Sequence, residues 1–313
     1  MVEFCLLGCG GNLPMAERYL SAGIISYKGH KILIDCGEGT QVSMKIEGTG
    51  FKAIDVICIT HCHGDHIIGL PGLLATIANS GKQTPLTIIG PDDIERVVEG
   101  LRVIVPYLPY EVNIIKSPGK AGFTLEDNYL KFTEKNSQIE ISTIHCEHSA
   151  PCIGYSFYFR RDRKFDVNSA TENGVPKVLW NRLQKGESQI EYEDRVFTSE
   201  MVLGEERRGI KVSYITDTRP IENIAGFIEG SDLFICEGNY GADEDQEKAV
   251  IKKHMTFREA ARLAKTGKVK KMILTHFSPA MLNPENYLQN AVSVFENAII
   301  GSDRLKIELS YTD

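Results

Sequence analysis

Short runs of aliphatic and β-branched residues recur along the chain, separated by glycine-rich and polar turns. Alternating or continuous apolar segments predict strands over residues 3–7, 23–27, 31–36, 55–60, 86–89, 140–145, 153–160, 211–215, 232–236 and 271–275. Apolar positions three and four apart predict helices over residues 67–78, 92–103, 221–229, 256–265 and 284–298. Pro91-Asp92-Asp93 reads as a helix start, and Thr256 with Glu259 has the spacing of a capping box. The early strands follow one another quickly, as in hairpins. The later ones alternate with helices, as in parallel crossovers. Mixed sheets with helices outside are the simplest way to bury these faces, which predicts an α/β fold. No repeat of short fixed period is present.

The apolar rhythm fades between residues 160 and 208. The first part of this stretch is basic, with Arg160, Arg161, Arg163, Lys164, Lys177, Arg182 and Lys185 against Asp162, Asp166 and Glu172; a more acidic part follows through Glu206. Asn173-Gly174-Val175-Pro176 marks a turn. On charge content alone, this is either a mobile surface insertion or an arm that holds a polyanion.

Composition narrows the class. The chain has 313 residues, 42% apolar and 25% charged, enough to bury a large core without covalent staples. No run approaches the ~18 consecutive apolar residues of a membrane span, and the first residues lack the basic and apolar regions of a signal peptide. The eight cysteines mostly lie in apolar, strand-like segments, with no CxxC pair. Reduced thiols and a cytoplasmic location are therefore expected. A net charge of −7 argues against a surface broadly coated by nucleic acid, but not against a local basic patch.

The strongest chemical signal is Thr60-His61-Cys62-His63-Gly64-Asp65-His66, between an apolar strand and an apolar helix. Alternate residues of an extended segment point the same way, so His61 and His63 can chelate one metal. Asp65 and His66 lie one step further, where the chain enters the helix, and can serve a second. Open sites of this kind suit catalytic zinc.

HxHxDH in this setting resembles the metallo-β-lactamase superfamily. Asp35-Cys36-Gly37-Glu38-Gly39-Thr40-Gln41, the segment from His66 through Gly69-Leu70-Pro71-Gly72-Leu73-Leu74, and the glycine-rich turn Gly8–Pro14 with Arg18 beyond it resemble the ribonuclease Z family within it. The resemblance runs from about Gly8 to His276. It implies a four-layer αβ/βα sandwich of two mixed sheets with a protruding flexible arm: one domain over residues 1–313, with 161–208 as the arm.

The remaining ligands follow from the same resemblance. His145 and His148 compete for the third position. Strand alternation puts His145 on the face of Ile139 and Ile141, which favours a packed or half-buried role. The family's ligand precedes a Gly-Tyr pair by six residues, and Gly154-Tyr155 then selects His148. Asp217, in Asp217-Thr218-Arg219-Pro220, resembles the family's bridging aspartate, with Thr216 where Gly is usual. His276 closes the set.

The implied assignment is His61, His63, His148 and Asp217 on one metal, and Asp65, His66, Asp217 and His276 on the other. Two Zn2+ ions per subunit, or Mn2+, would share a hydroxide that attacks a phosphodiester. Asp65 would orient or deprotonate this nucleophile. His254 resembles a residue that supports the leaving oxygen. Glu237 resembles another, although Cys236 stands where His is usual and leaves that role open. Gly174-Val175-Pro176-Lys177 and Leu183-Gln184-Lys185-Gly186 echo the arm's pattern. The resemblance thus implies a homodimer whose arms hold the transfer-RNA elbow, with Lys177, Arg182 and Lys185 as contacts.

The function implied is removal of 3′ trailers from precursor transfer RNA, leaving a 3′-hydroxyl. A relative hydrolysing a small phosphodiester, an arylsulfate or a lactone remains the alternative. A binder of RNA without catalysis is the third reading, and it gains nothing from an open two-metal site.

Overall fold

Strand alternation sorts the apolar side chains into two cores. In β1 (Val2–Gly8), Val2, Phe4 and Leu6 join one buried cluster, while Cys5 and Leu7 join another on the opposite face. The computed structural model describes residues 1–311. It continues with β2 (Ala22–Tyr27), β3 (His30–Ile34), β4 (Ile54–Cys58), β5 (Leu86–Gly90), β6 (Val112–Lys116), β7 (Lys120–Glu126), β8 (Tyr129–Thr133), β9 (Ile139–Cys146) and β10 (Cys152–Arg161). A small hairpin follows, β11 (Gln189–Tyr192) and β12 (Arg195–Thr198). The last strands are β13 (Arg207–Ile215), β14 (Leu233–Glu237), β15 (Met272–Thr275), β16 (Ala298–Ile300) and β17 (Leu305–Leu309).

Two mixed sheets result, in the orders β17-β1-β2-β3-β4-β5-β6 and β16-β15-β14-β13-β10-β9-β7-β8. Neighbours from β3 through β6 run parallel, as do β13 through β16. The sheets bury their inner faces against each other. Tyr27 and Phe159 meet at 5.1 Å between ring centroids. The Tyr155 hydroxyl donates to the Ile59 carbonyl at 2.7 Å. Helices cover the outside. Met44 of α1 (Thr40–Glu47), Leu70, Leu73, Leu74 and Ile77 of α3 (Leu70–Asn79), and Ile94 and Val98 of α4 (Ile94–Arg102) pack on the first sheet; the four-residue α2 (Gly64–Ile67) precedes α3.

After α5 (Val167–Glu172) and α6 (Lys177–Gln184) come α7 (Asn223–Phe227), α8 (Gln246–Lys252), α9 (Phe257–Thr266) and α10 (Leu288–Val292). Ile224 of α7 and Phe257, Ala260, Ala261 and Ala264 of α9 belong to the core of the second sheet. The Thr256–Glu259 capping box forms as its spacing predicts.

Two expectations need correction. The helix over residues 67–78 breaks at Gly69. A Cβ there would lie 2.4 Å from the Gly37 carbonyl, so tertiary contact sets the boundary. The helix over 284–298 shrinks to a 3₁₀ turn and α10, because Ala298 pairs into β16. The stretch where the apolar rhythm fades is folded. Arg160–Gly209 form a separate compact unit. Ala170, Val175, Leu179, Leu183, Ile190, Phe197 and Val202 build its own small core. Asp166 caps α5 by accepting from Asn168 N and Ser169 N. Trp180 Nε1 donates to the Val175 carbonyl at 2.8 Å.

Among the described residues, no helix is long and apolar enough to cross a membrane. One buried ion pair braces the body. Lys82, 1% exposed, donates to Asp55 Oδ1 at 2.7 Å, while His30 Nδ1 and the Leu130 N–H reach Asp55 Oδ2. Removing one partner of such a pair strands the other charge in the core. Lys82→Met is therefore expected to lower unfolding free energy by about 3 kcal/mol in urea titration. A loss below about 1 kcal/mol would mean that His30 and the Leu130 amide hold Asp55 unaided.

Candidate metal centre

The site residues sit where strands end. β4 runs out at Cys58, Thr60 through His63 turn above the sheet, and Asp65 and His66 follow within α2. His148 lies in the hairpin between β9 and β10, Asp217 just after β13, Glu237 at the end of β14, and His276 directly after β15. Ends of parallel strands are where such folds gather chemistry. Asp35, Asp217 and His276 have φ of 55°, 50° and 57°, the left-handed region that sterics discourage outside glycine. Each kinks the chain as it leaves its strand. Thr216, where the family pattern has glycine, is not among the residues of positive φ; its hydroxyl donates to Asp217 Oδ1 at 2.7 Å.

Two groups of ligand atoms result. In the first, His61 Nε2 lies 3.1 Å from His63 Nδ1, and His148 Nε2 lies 3.3 Å from that same atom. Asp217 Oδ2 stands 3.7 Å from both His61 Nε2 and His148 Nε2. In the second, His66 Nε2 and His276 Nε2 are 3.2 Å apart. Asp65 Oδ2 lies 3.5 and 3.4 Å from them, and Asp217 Oδ1 lies 3.5 and 3.1 Å from them. Asp217 thus turns one oxygen to each group.

The arrangement fits a pair of divalent cations. Nitrogen lone pairs facing each other at such distances repel unless a proton or a metal ion lies between them. Their other ring nitrogens are engaged: His66 Nδ1 lies 2.8 Å from Asp35, and His148 Nδ1 lies 3.4 Å from the Lys253 carbonyl. These contacts aim Nε2 inward. Among the described residues, Asp35, Asp65 and Asp217 are partnered by imidazoles, Thr hydroxyls and backbone N–H groups, with no lysine or arginine. Nitrogen and oxygen ligands without thiolate suit zinc or manganese.

Titration follows the same charges. Burial favours a neutral Asp217, but the imidazoles of His276, His66, His61 and His254 outweigh it and hold its pKa well below the carboxylate range. Burial opposes protonation of His66, yet Asp217 and Asp35 push its pKa well above the usual value. Burial wins at His61 and His148, whose pKa values fall. This field rewards positive charge, whether protons or metal supply it.

His254 flanks the site. Its Nδ1 lies 3.1 Å from Glu237 Oε2 and 4.0 Å from Asp217 Oδ2. Burial works against its charge, but Glu237 brings its pKa up to about 9. The Arg219 guanidinium fixes the loop from behind, donating to the His254 carbonyl and to Glu259. A cleft of ≈ 310 Å³, lined by His63, Asp65, His148, Asp217 and His254, opens over the centre.

All seven expected ligands converge here. His145 does not: it is exposed on β9, opposite Ile153, because its face leaves the core at the strand's end. The packed or half-buried role expected of it is therefore corrected. Lys177 and Arg182 lie on α6 and Lys185 at its end, all exposed in the unit Arg160–Gly209. Arg182 is paired with Glu187, and Lys177 lies over the Trp180 ring.

Two residues were absent from the expected set or left open. Asp35, fully buried, accepts from Thr60 N, Thr60 Oγ1 and His66 Nδ1. Glu237, fully buried, accepts from Thr218 N, Met255 N and the His254 ring. The signals available were the family-like segment that begins at Asp35 and, for Glu237, a resemblance left open by Cys236.

Comparison with known proteins decides the family. The chain is 59% identical over its full 313 residues to ribonuclease Z of Clostridium beijerinckii, covering all of both chains. It is 56% identical to that of Clostridioides difficile over the same span and coverage. The chain belongs to the ribonuclease Z family. Membership makes it a metal-dependent hydrolase. A family model described as anti-Pycsar protein Apyc1 matches residues 2–161, the part holding His61 through His148 but not Asp217 or His276. The fold agrees with that of the short form of human tRNase Z, at TM-score 0.66 and 23% identity over 98% of this chain and 99% of that one. It also agrees with the metallo-β-lactamase fold protein YhfI of Bacillus subtilis, at TM-score 0.66 and 19% identity over 98% of this chain.

If Asp35 aims His66, removing it should loosen the metal without touching a ligand. Asp35→Asn and Asp35→Ala are expected to weaken zinc affinity by roughly 10–100-fold in competition with a chromophoric chelator. Unchanged affinity in variants with native circular dichroism would exclude this role.

Proposed function

We propose that this protein removes 3′ trailers from precursor transfer RNA, using two divalent metal ions, zinc or manganese. The observation that carries the reading is Asp217 facing His61, His63 and His148 with one oxygen, and Asp65, His66 and His276 with the other. Support also comes from relatives over 50% identical along the whole chain that bear the name ribonuclease Z.

Bound at these residues, the metal pair would supply Lewis acidity and a nucleophilic oxygen at neutral pH. The chain's own groups supply the rest. Asp65 stays ionised, since His276 and His66 outweigh burial. The Asn12 N–H holds its Oδ2 at 2.7 Å, and this carboxylate accepts a hydrogen bond from the attacking water and orients it. The new O–P bond forms on the trailer's phosphate as the P–O3′ bond breaks. The departing ribose oxygen needs a proton. His254 holds one on Nδ1 against Glu237, which leaves the Nε2 proton free for donation. The products are a 3′-hydroxyl on the transfer RNA and a 5′-phosphate on the trailer.

The arm unit, residues 161–208 in this reading, binds the folded transfer RNA by charge and shape, with Lys177, Arg182 and Lys185 as phosphate contacts. Pairing of two copies belongs to the same reading. Val42 and Ile46, four apart on α1, are 52% and 61% exposed, and a second copy would cover them.

His63→Ala and Asp217→Ala are each expected to abolish cleavage of a 3′-extended transfer-RNA precursor, mapped by gel, with thermal melting still cooperative. Full activity in either purified variant refutes the site. Deleting residues 164–206 is expected to raise KM for the precursor at least ~10-fold, the scale of losing several phosphate contacts. Hydrolysis of bis(p-nitrophenyl) phosphate should persist in that deletion. Equal loss of both activities contradicts the arm assignment.

A further inference from the structure

The hairpin carrying His148 is closed by two cysteines. Cys146 ends β9, Cys152 begins β10, and register sets them directly opposite each other. They share one face of the sheet. The diagonal neighbour on that face is Gly154, where an added Cβ would lie 3.5 Å from Cys146 Sγ and 2.2 Å from Ile215 Cδ1, so the residue beside the pair brings no side chain of its own. Contact with the Cys146 thiol, more than burial, holds the Cys152 thiol protonated. Cys152 is 3% exposed, while Cys146 is partly open to solvent.

The pair also touches both ligand-bearing loops. Cys152 Sγ donates to the carbonyl of Thr216, the residue before Asp217, at 3.6 Å. The Glu147 N–H donates to Thr218 Oγ1 at 2.9 Å, and Arg219 N donates to the Glu147 carbonyl at 3.1 Å. A change at the cysteines therefore reaches His148 and Asp217 together.

We propose that Cys146 and Cys152 are an oxidisable dithiol that closes into a disulfide across the base of the His148 loop and weakens the metal centre reversibly. Ile153 N bonds to Thr60 O and Thr143 N to Gly119 O, so neither points across the β9–β10 ladder. By alternation, Cys146 and Cys152 occupy the hydrogen-bonded type of pair, with Cα atoms about 5.5 Å apart. That separation lies within disulfide reach, but bonding draws the Cβ atoms to about 3.8 Å. The strand ends must shift to allow it, and the Cys152 hydrogen bond to Thr216 is lost.

The oxidant class is a hydroperoxide. The Cys146 sulfur attacks its O–O bond, forming S–O and releasing water or alcohol. The Cys152 sulfur then attacks the sulfenic sulfur. The S–S bond forms, the S–O bond breaks, and the Cys152 proton leaves with hydroxide as a second water. The dithiol loses two electrons, and the peroxide gains them.

The test uses the full-length, metal-loaded protein and hydrogen peroxide. Peptide mass spectrometry is expected to find residues 146 and 152 linked, two hydrogens lighter than the reduced pair. Zinc release to a chromophoric chelator should quicken at least ~10-fold and return with dithiothreitol. Cys146→Ala and Cys152→Ser should both lack the link and the reversible zinc loss. Using either variant guards against a folding defect in the other. Sulfinic acid at Cys146 without the link overturns the proposal, as does a link that leaves zinc retention unchanged. The proposal relies on the two-metal reading only for the zinc readout. The cross-link is scored by mass whether or not the protein cuts transfer RNA, so the two failures are distinguishable.

Discussion

Asp217 presents two carboxylate oxygens to a volume walled by imidazoles, and the rest of the centre answers to that placement. It is buried, its φ is left-handed, and each oxygen faces a different group of histidines. A carboxylate so far from water costs several kcal/mol unless positive charge meets it. Imidazolium supplies that charge in part, and divalent cations supply it fully. The strained backbone at Asp35, Asp217 and His276 is tolerated because the two sheets fix the strands from which each residue departs.

Behind the imidazoles and carboxylates that face one another stands a layer of groups that do not face the cleft. Asp35 aims His66, the Lys253 carbonyl aims His148, and Glu237 aims His254. Arg219 joins the loop after β13 to the His254 loop and to the capping box of α9. A single helix cap thus serves the site, because Glu259 receives both the Thr256 amide and the Arg219 guanidinium. The loops of the centre are tied to one another more than to solvent, as suits ligands that must hold their geometry while substrate changes.

Stability and chemistry draw on different ends of the strands. The Lys82–Asp55–His30 network lies at the start of β4, where Ile54 and Asp55 enter the sheet. His61, His63, Asp65 and His66 follow the end of the same strand. The unit Arg160–Gly209 has its own core of aliphatic and aromatic side chains.

The sequence by itself determined what was local. HxHxDH, the aspartate before Thr218-Arg219-Pro220, the strand-end His276 and the Thr256–Glu259 cap are each written in neighbouring residues. The main strands were legible because their apolar runs are continuous or alternate. What only the tertiary structure decided depended on contacts distant in sequence. Gly69 ends a helix because the Gly37 backbone leaves no room. His145 loses its expected place because its face of β9 runs out of core. The arm's core was hidden because its apolar residues are spread over two short helices and a hairpin, none long enough to show a period. Asp35 appeared only as part of a family-like segment and Glu237 with its role left open, since an acid's role as an aiming group exists only once the imidazole it holds has been folded against it.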